Sequence, residues 1–97
     1  MTTEKLDAFF EEQSEEFLKF DRVEHKLSNR PDLHAFLLLD KLSGGNSDIV
    51  ASADRDAIYL DIDVGKLLEV ATEGDLIELH RCGVLYGDEY ESLYMFV

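Results

Sequence analysis

The spacing of apolar residues changes along this chain, and that change limits the folds open to it. From Thr3 to about Phe20, Leu6, Phe9, Phe10, Phe17 and Phe20 recur three or four positions apart, or at sums of those steps. Glu4, Glu11, Glu12, Glu15 and Glu16 take the remaining surface. That is one apolar face of a helix, with Thr2 or Thr3 as N-cap, and Val23 and Leu27 extend the stripe to about residue 27. Further on, Ile58, Leu60 and Ile62 alternate with Tyr59 and Asp61, which is the period of a strand with one buried face. Both periods in one short chain point to an α+β fold.

Local punctuation divides the rest. Ser28 and Asn29 close the first helix, and Pro31 suits the first turn of a second, which runs from about Pro31 to Leu42. Gly44-Gly45 stops it. Ser47 or Asp48 can cap a short helix over about Ile49 to Asp54, although Ile49-Val50 can equally begin a strand. Ala57 to Ile62 reads as a strand, and Asp63 caps a short helix from Val64 to Ala71. Thr72-Glu73-Gly74-Asp75 has capping-box spacing and opens a helix through about Cys82, with Gly83 at its left-handed end. Val84 to Tyr86 and Ser92 to Val97 form a hairpin around Gly87-Asp88-Glu89. The expected architecture is a single α+β domain: N-terminal helices packed with a small three-stranded antiparallel sheet and a C-terminal β-hairpin.

Charge narrows the function. The 97 residues carry 22 acids and nine bases, a formal net charge of −13. Residues 1–41 hold ten acids and six bases, whereas residues 42–97 hold twelve acids and only Arg55, Lys66 and Arg81. Such a field repels phosphate backbones and anionic lipid and attracts basic protein surfaces. Direct nucleic-acid binding and membrane binding are therefore disfavoured. With 45% hydrophobic residues the chain has the material for a core,. Cys82 is the only cysteine, so no intramolecular disulfide can staple the fold,. The segment MTTEKLDAFFEE lacks the basic and apolar regions of a signal peptide. The longest apolar run, Ala35 to Leu39, is too short to cross a bilayer. The expected location is the cytoplasm, of a cell or of an infected host.

No catalytic or metal-binding constellation stands out, and no cofactor is expected. Asp54, Asp56, Asp61 and Asp63 bracket the first strand, and Asp61 and Asp63 two residues apart on a strand face can approach one cation. Ile58 and Leu60 stand where a calcium loop needs oxygen ligands and glycine, so the plainer reading is a solvated turn plus an N-cap at Asp63. A metal-dependent hydrolase on these four aspartates is the minor alternative. His80 and Cys82 are two apart, so on a helix they point to different sides and do not form a catalytic pair. Gly44-Gly45-Asn46-Ser47 lacks the Gly-Lys-Ser/Thr of a phosphate loop and reads as a linker. The stripe Phe9, Phe10, Phe17 and Phe20 is a candidate homodimer face, and the commoner reading of such a stripe is core, packed against Leu33, Phe36 and Leu37.

Three acidic groups remain as candidate partner-binding patches: Glu11, Glu12, Glu15 and Glu16; Asp54, Asp56 and Asp61; and Asp88, Glu89 and Glu91. Any one of them is explained by solvation. Together they repel one another and cost stability, which favours a purpose such as presenting phosphate-like charge to a basic protein that grips nucleic acid.

The stretch Thr72 to Val97, with Arg81-Cys82-Gly83-Val84 after a capped helix and Ser92-Leu93-Tyr94-Met95-Phe96-Val97 at its end, resembles the ends of small uncharacterised acidic proteins encoded by bacterial phages and prophages. The resemblance implies a phage accessory protein and transfers no site residues. Small acidic phage proteins include inhibitors of host defence, some similar to DNA in charge layout. The expectation is an acidic accessory protein that acts by binding a basic protein surface, with self-association through helix one as the structural alternative.

Overall fold

The computed structural model describes residues 1–45, 48–87, 89 and 91–96. Asn46 and Ser47 of the expected linker, Asp88 of the expected hairpin turn and Val97 at the expected strand end lie outside those residues. Helix α1 (Thr3–Glu12) is followed by single 3-10 turns at Ser14–Glu16 and Phe20–Arg22, then by α2 (Pro31–Ser43). Strands β1 (Val50–Ala53) and β2 (Ala57–Leu60) lead to α3 (Val64–Val70) and α4 (Glu73–Arg81), and β3 (Val84–Gly87) and β4 (Ser92–Phe96) complete the fold. The sheet is antiparallel in the order β1-β2-β4-β3. The α+β class is as expected, but the sheet has four strands rather than three.

The extra strand is β1, where a short helix competed with a strand in the sequence. All four of its residues are exposed, so no burial pattern marks them as a strand. Backbone pairing to β2 forms it, across a register shift between Val50 and Ser52.

Helix one is shorter than its apolar stripe. A helix from Thr3 to Leu27 would span about 37 Å, longer than any principal extent of the molecule, 29 × 28 × 27 Å. The chain instead breaks after Glu12, and Leu18 takes a left-handed φ of 61°. Its amide donates to the carbonyl of His80 at 3.3 Å.

Register divides the sheet into two faces. Val84, Tyr86, Leu93, Met95 and Leu60 are buried and point into a core completed by Leu6, Phe10, Ala35, Leu38, Leu39, Val64, Leu67, Leu76 and Leu79. Tyr59, Tyr94 and Phe96 share the opposite face, with Tyr94 and Phe96 edge-to-face at 5.5 Å. On α2 the buried residues are His34, Ala35, Leu38 and Leu39, while Leu33 and Leu37 are exposed. The expected packing of the phenylalanines on Leu33 and Leu37 is therefore corrected. HAFLLL is apolar almost all round, so period alone does not select its inner face.

The caps from Gly44 onward follow the sequence, whereas Thr2 before α1 makes no side-chain cap bond and α1 ends at Glu12 rather than at Ser28-Asn29. Gly44 ends α2 at φ 93°, Asp63 Oδ1 accepts from the Lys66 amide at 3.2 Å, and Thr72 and Asp75 exchange both bonds of a capping box. Gly83 sits at φ 99° and turns the chain from α4 into β3. A Cβ there would lie 2.9 Å from Leu18 Cδ2. Gly83→Ala is expected to lower stability by about 1–2 kcal/mol through the left-handed backbone, seen as a lower urea midpoint with an unchanged slope.

Candidate acidic seam between α1 and the β3 edge

The C-terminal turn of α4 organises the candidate site. His80 is 2% exposed. Its Nδ1 lies 3.0 Å from the carbonyl oxygen of Val84, and since that oxygen only accepts, Nδ1 carries the proton and donates. Phe10 stacks on the ring at 4.6 Å and 4°, and Phe17 tilts against it at 5.2 Å. Two residues earlier, Glu78 Oε2 lies 3.0 Å from Nε2 of the fully buried His34. The Leu27 amide donates to His34 Nδ1 at 3.0 Å, so here the proton sits on Nε2 and is donated to Glu78. Phe20 meets the same imidazole edge-on at 5.7 Å.

Arg81, next along α4, reaches out to the 3-10 turns. Its Nε donates to Glu16 Oε2 at 2.8 Å, and Arg22 Nη1 donates to Glu16 Oε1 at 2.8 Å. The hydrogen bond from Arg81, aided by the charges of both arginines, holds the Glu16 carboxyl below its ordinary value of 4.5 despite partial desolvation,. Cys82 is buried, and loss of solvent, with a smaller push from the Glu78 charge, raises its thiol to about 12. A thiol held protonated in this way is a packing group rather than a nucleophile.

Two concavities border α1 on its sheet side. One, of about 310 Å³, is walled by Phe10, Phe17, Tyr86 and Tyr94, has His80 at its base and carries Asp7 and Glu11 on its rim. The other, of about 440 Å³, lies beside Thr3 and collects Asp61, Asp63 and Glu91. Tyr86 lines both, so they form one seam with five carboxylates. No lysine or arginine among the described residues lines either part. Comparison with protein-family models, curated proteins and solved structures finds no match to this chain. What the seam can bind follows from its own chemistry.

The structure gathers some of the sequence-derived candidates and separates others. Glu11, Asp61 and Glu91 meet at the seam. Glu12 lies on the other flank of α1, in a concavity shared with Lys5, Phe9 and Glu73. Glu15 is exposed, and Glu16 is neutralised by two arginines. The patch of four glutamates is thus divided, because the helix that would have aligned them ends at Glu12. Glu89 is exposed beside the hairpin, and Asp88 lies outside the described residues.

Asp54 and Asp56 occupy the β1–β2 turn, whereas Asp61 and Asp63 follow the far end of β2. About 16 Å of extended chain separates Asp56 from Asp61. β2 ends at Leu60, so Asp61 and Asp63 stand in the connection to α3 rather than on a strand face. Among the described residues no three His, Cys, Asp or Glu side chains converge as an ion site requires.

Of the proposed dimer face, Phe10 is buried and Phe9, Phe17 and Phe20 are half-buried, with Phe17 and Phe20 resting on the two buried histidines. The sequence reading missed Asp7, His80 and Tyr94 as site residues. Asp7 stands one helical turn from Glu11, and that i, i+4 spacing was the available signal.

Two outcomes test this chemistry. Glu16 has its carboxyl lowered on folding, so its ion pair stabilises fully above the ordinary value and is lost as pH falls through the lowered one. Glu16→Gln should be less stable than the parent near neutrality, and the gap should close on acidification below about 4.5, read from urea midpoints across pH. Cys82 should resist a thiol reagent in mildly alkaline buffer while the protein is folded and react freely once it is unfolded in urea.

Proposed function

We propose that this chain is an acidic accessory protein, of the phage type its C-terminal stretch resembles, that acts by binding a basic protein surface through the α1–β3 seam. The observation that carries the reading is the gathering of Asp7, Glu11, Asp61, Asp63 and Glu91 along two concavities that no lysine or arginine among the described residues lines, Lys66 standing with Asp61 and Asp63 on the adjoining one. Ion pairs with lysine or arginine among the described residues engage only Glu16 and Asp32, and Glu78 is taken by the His34 hydrogen bond. Asp63 caps α3, and Asp7, Glu11, Asp61 and Glu91 make no ion pair among the described residues, which is what a basic partner would use. In the half of the chain after residue 41, Arg81 is drawn into the Glu16 pair, which weakens the local positive counterweight further.

A seam of this kind attracts a protein that ordinarily grips nucleic acid, steering it by charge and occupying its phosphate-binding groove. Inhibition of a host-defence or other DNA-binding protein by charge mimicry is the function that fits such a surface. Affinity capture from host lysate at low salt, followed by mass spectrometry, should return a basic or nucleic-acid-binding protein. Its association rate should fall as salt rises. Asp61→Asn combined with Glu91→Gln should weaken binding by about 0.2–1 kcal/mol per carboxylate, while Asp54→Asn with Asp56→Asn at the distant turn should leave it unchanged. Capture that returns no such partner, or equal losses from both pairs of variants, counts against the seam.

A further inference from the structure

The cavity at the His80 end of the seam has features that solvation of an acidic surface does not explain. Its walls are aromatic, its rim holds two carboxylates, and its base is a buried imidazole. His80 spends its Nδ1 proton on Val84, and in that tautomer Nε2 is the ring nitrogen that accepts. Phe10 covers one ring face and Phe17 leans on the ring at 50°. Among the described residues no fully buried side-chain nitrogen or oxygen lacks a partner, and none of them bonds Nε2, which leaves this atom to the cavity that His80 lines. An acceptor at the base, acceptors at the rim and π-faces between them require a ligand that donates in several directions, carries positive charge and is flat.

We propose that this cavity takes the guanidinium group of an arginine side chain, supplied by the basic partner. This rests on the docking reading above and names the contact that anchors it. A guanidinium is planar and weakly hydrated, stacks on aromatic rings, and presents five N–H donors in a fixed fork. Inserted between Phe17 and Tyr94, it donates inward to His80 Nε2 and outward to Asp7 and Glu11, and its charge lies against ring faces that attract cations. An ammonium is compact and strongly hydrated, and it has no planar face to lay against the rings. Among the described residues no lysine or arginine lines the cavity, so a cation there would come from outside.

The test is a titration of the whole protein with Nα-acetylarginine amide, followed by two-dimensional NMR of the His80 and aromatic side chains. Nα-acetyllysine amide and Nα-acetylcitrulline amide serve as comparisons. The arginine probe should produce saturable shifts centred on His80, Phe17 and Tyr94. The lysine probe should bind roughly threefold to tenfold more weakly, and the uncharged citrulline probe should bind more weakly still. Asp7→Asn and Glu11→Gln, both at exposed positions, should each weaken the arginine probe by a similar factor, with Asp54→Asn as the neutral control.

Equal shifts from arginine and lysine spread over all acidic surfaces, or no saturable shift at His80, overturn the proposal. If a basic partner is captured in a salt-sensitive, Asp61-dependent manner while the arginine probe fails, the cavity assignment falls and the docking reading stands. If the probe binds as described but no basic partner is captured, the cavity assignment stands and the docking reading falls.

Discussion

Helix α4 ends on a buried imidazole, and most of the molecule's arrangement is tied to that point. His80 binds the Val84 carbonyl through its ring and the Leu18 amide through its own carbonyl. One residue therefore holds the turn into β3 and the irregular segment after α1. Phe10 and Phe17 pack on the same ring from either side of the helix break. Without this fixture, residues 13–20 would be held over α4 chiefly by the Arg81–Glu16 pair, and the seam beside α1 would lose its base. His34 plays the matching part for residues 20–27, accepting from the Leu27 amide and donating to Glu78. Buried polar groups are costly unless bonded, and once bonded they specify one arrangement among several. Here two histidines do so, His80 on α4 and His34 on α2.

Electrostatics follows from that geometry. By bringing Glu16 beside Arg81, the fold uses one of the few cations of the C-terminal half to neutralise an acid of the N-terminal half. The remaining carboxylates are not evenly compensated. Exposed ion pairs contribute little stability, so a net −13 is tolerated as long as the core is sound. The core has the means: it runs without interruption from Leu6 through α2, α3 and α4 to Met95. The surface is thus left to carry charge where the seam lies, at some cost from self-repulsion.

Much of the fold was legible in the sequence because it depends on short-range chemistry. Pro31, Gly44, Asp63, the Thr72–Asp75 box and Gly83 mark helix ends through backbone bonds made within a few residues, and each lies where its local chemistry places it. The hairpin pair β3–β4 follows likewise. The strand β1 was not legible, since its exposed residues carry no pattern and only pairing to β2 forms it. The end of helix one was not legible either. Its apolar stripe continues past Glu12, but the side chains of Phe17 and Phe20 find their partners by leaving the helical path.

The sequence by itself determined the α+β class, the caps from Gly44 onward, the impossibility of an intramolecular disulfide and the acidic imbalance, because these depend on residue type and near neighbours. Tertiary structure alone decided which carboxylates stand together. Glu11 joins Asp7, which the sequence reading passed over, and Asp61 and Glu91 arrive from residues far along the chain, while Glu16, four places from Glu12, is taken out of play by Arg81. Charge counts add along a sequence, but a field forms in space. Only the packing of α1 against the β3 edge sets the distances that turn scattered acids into a seam.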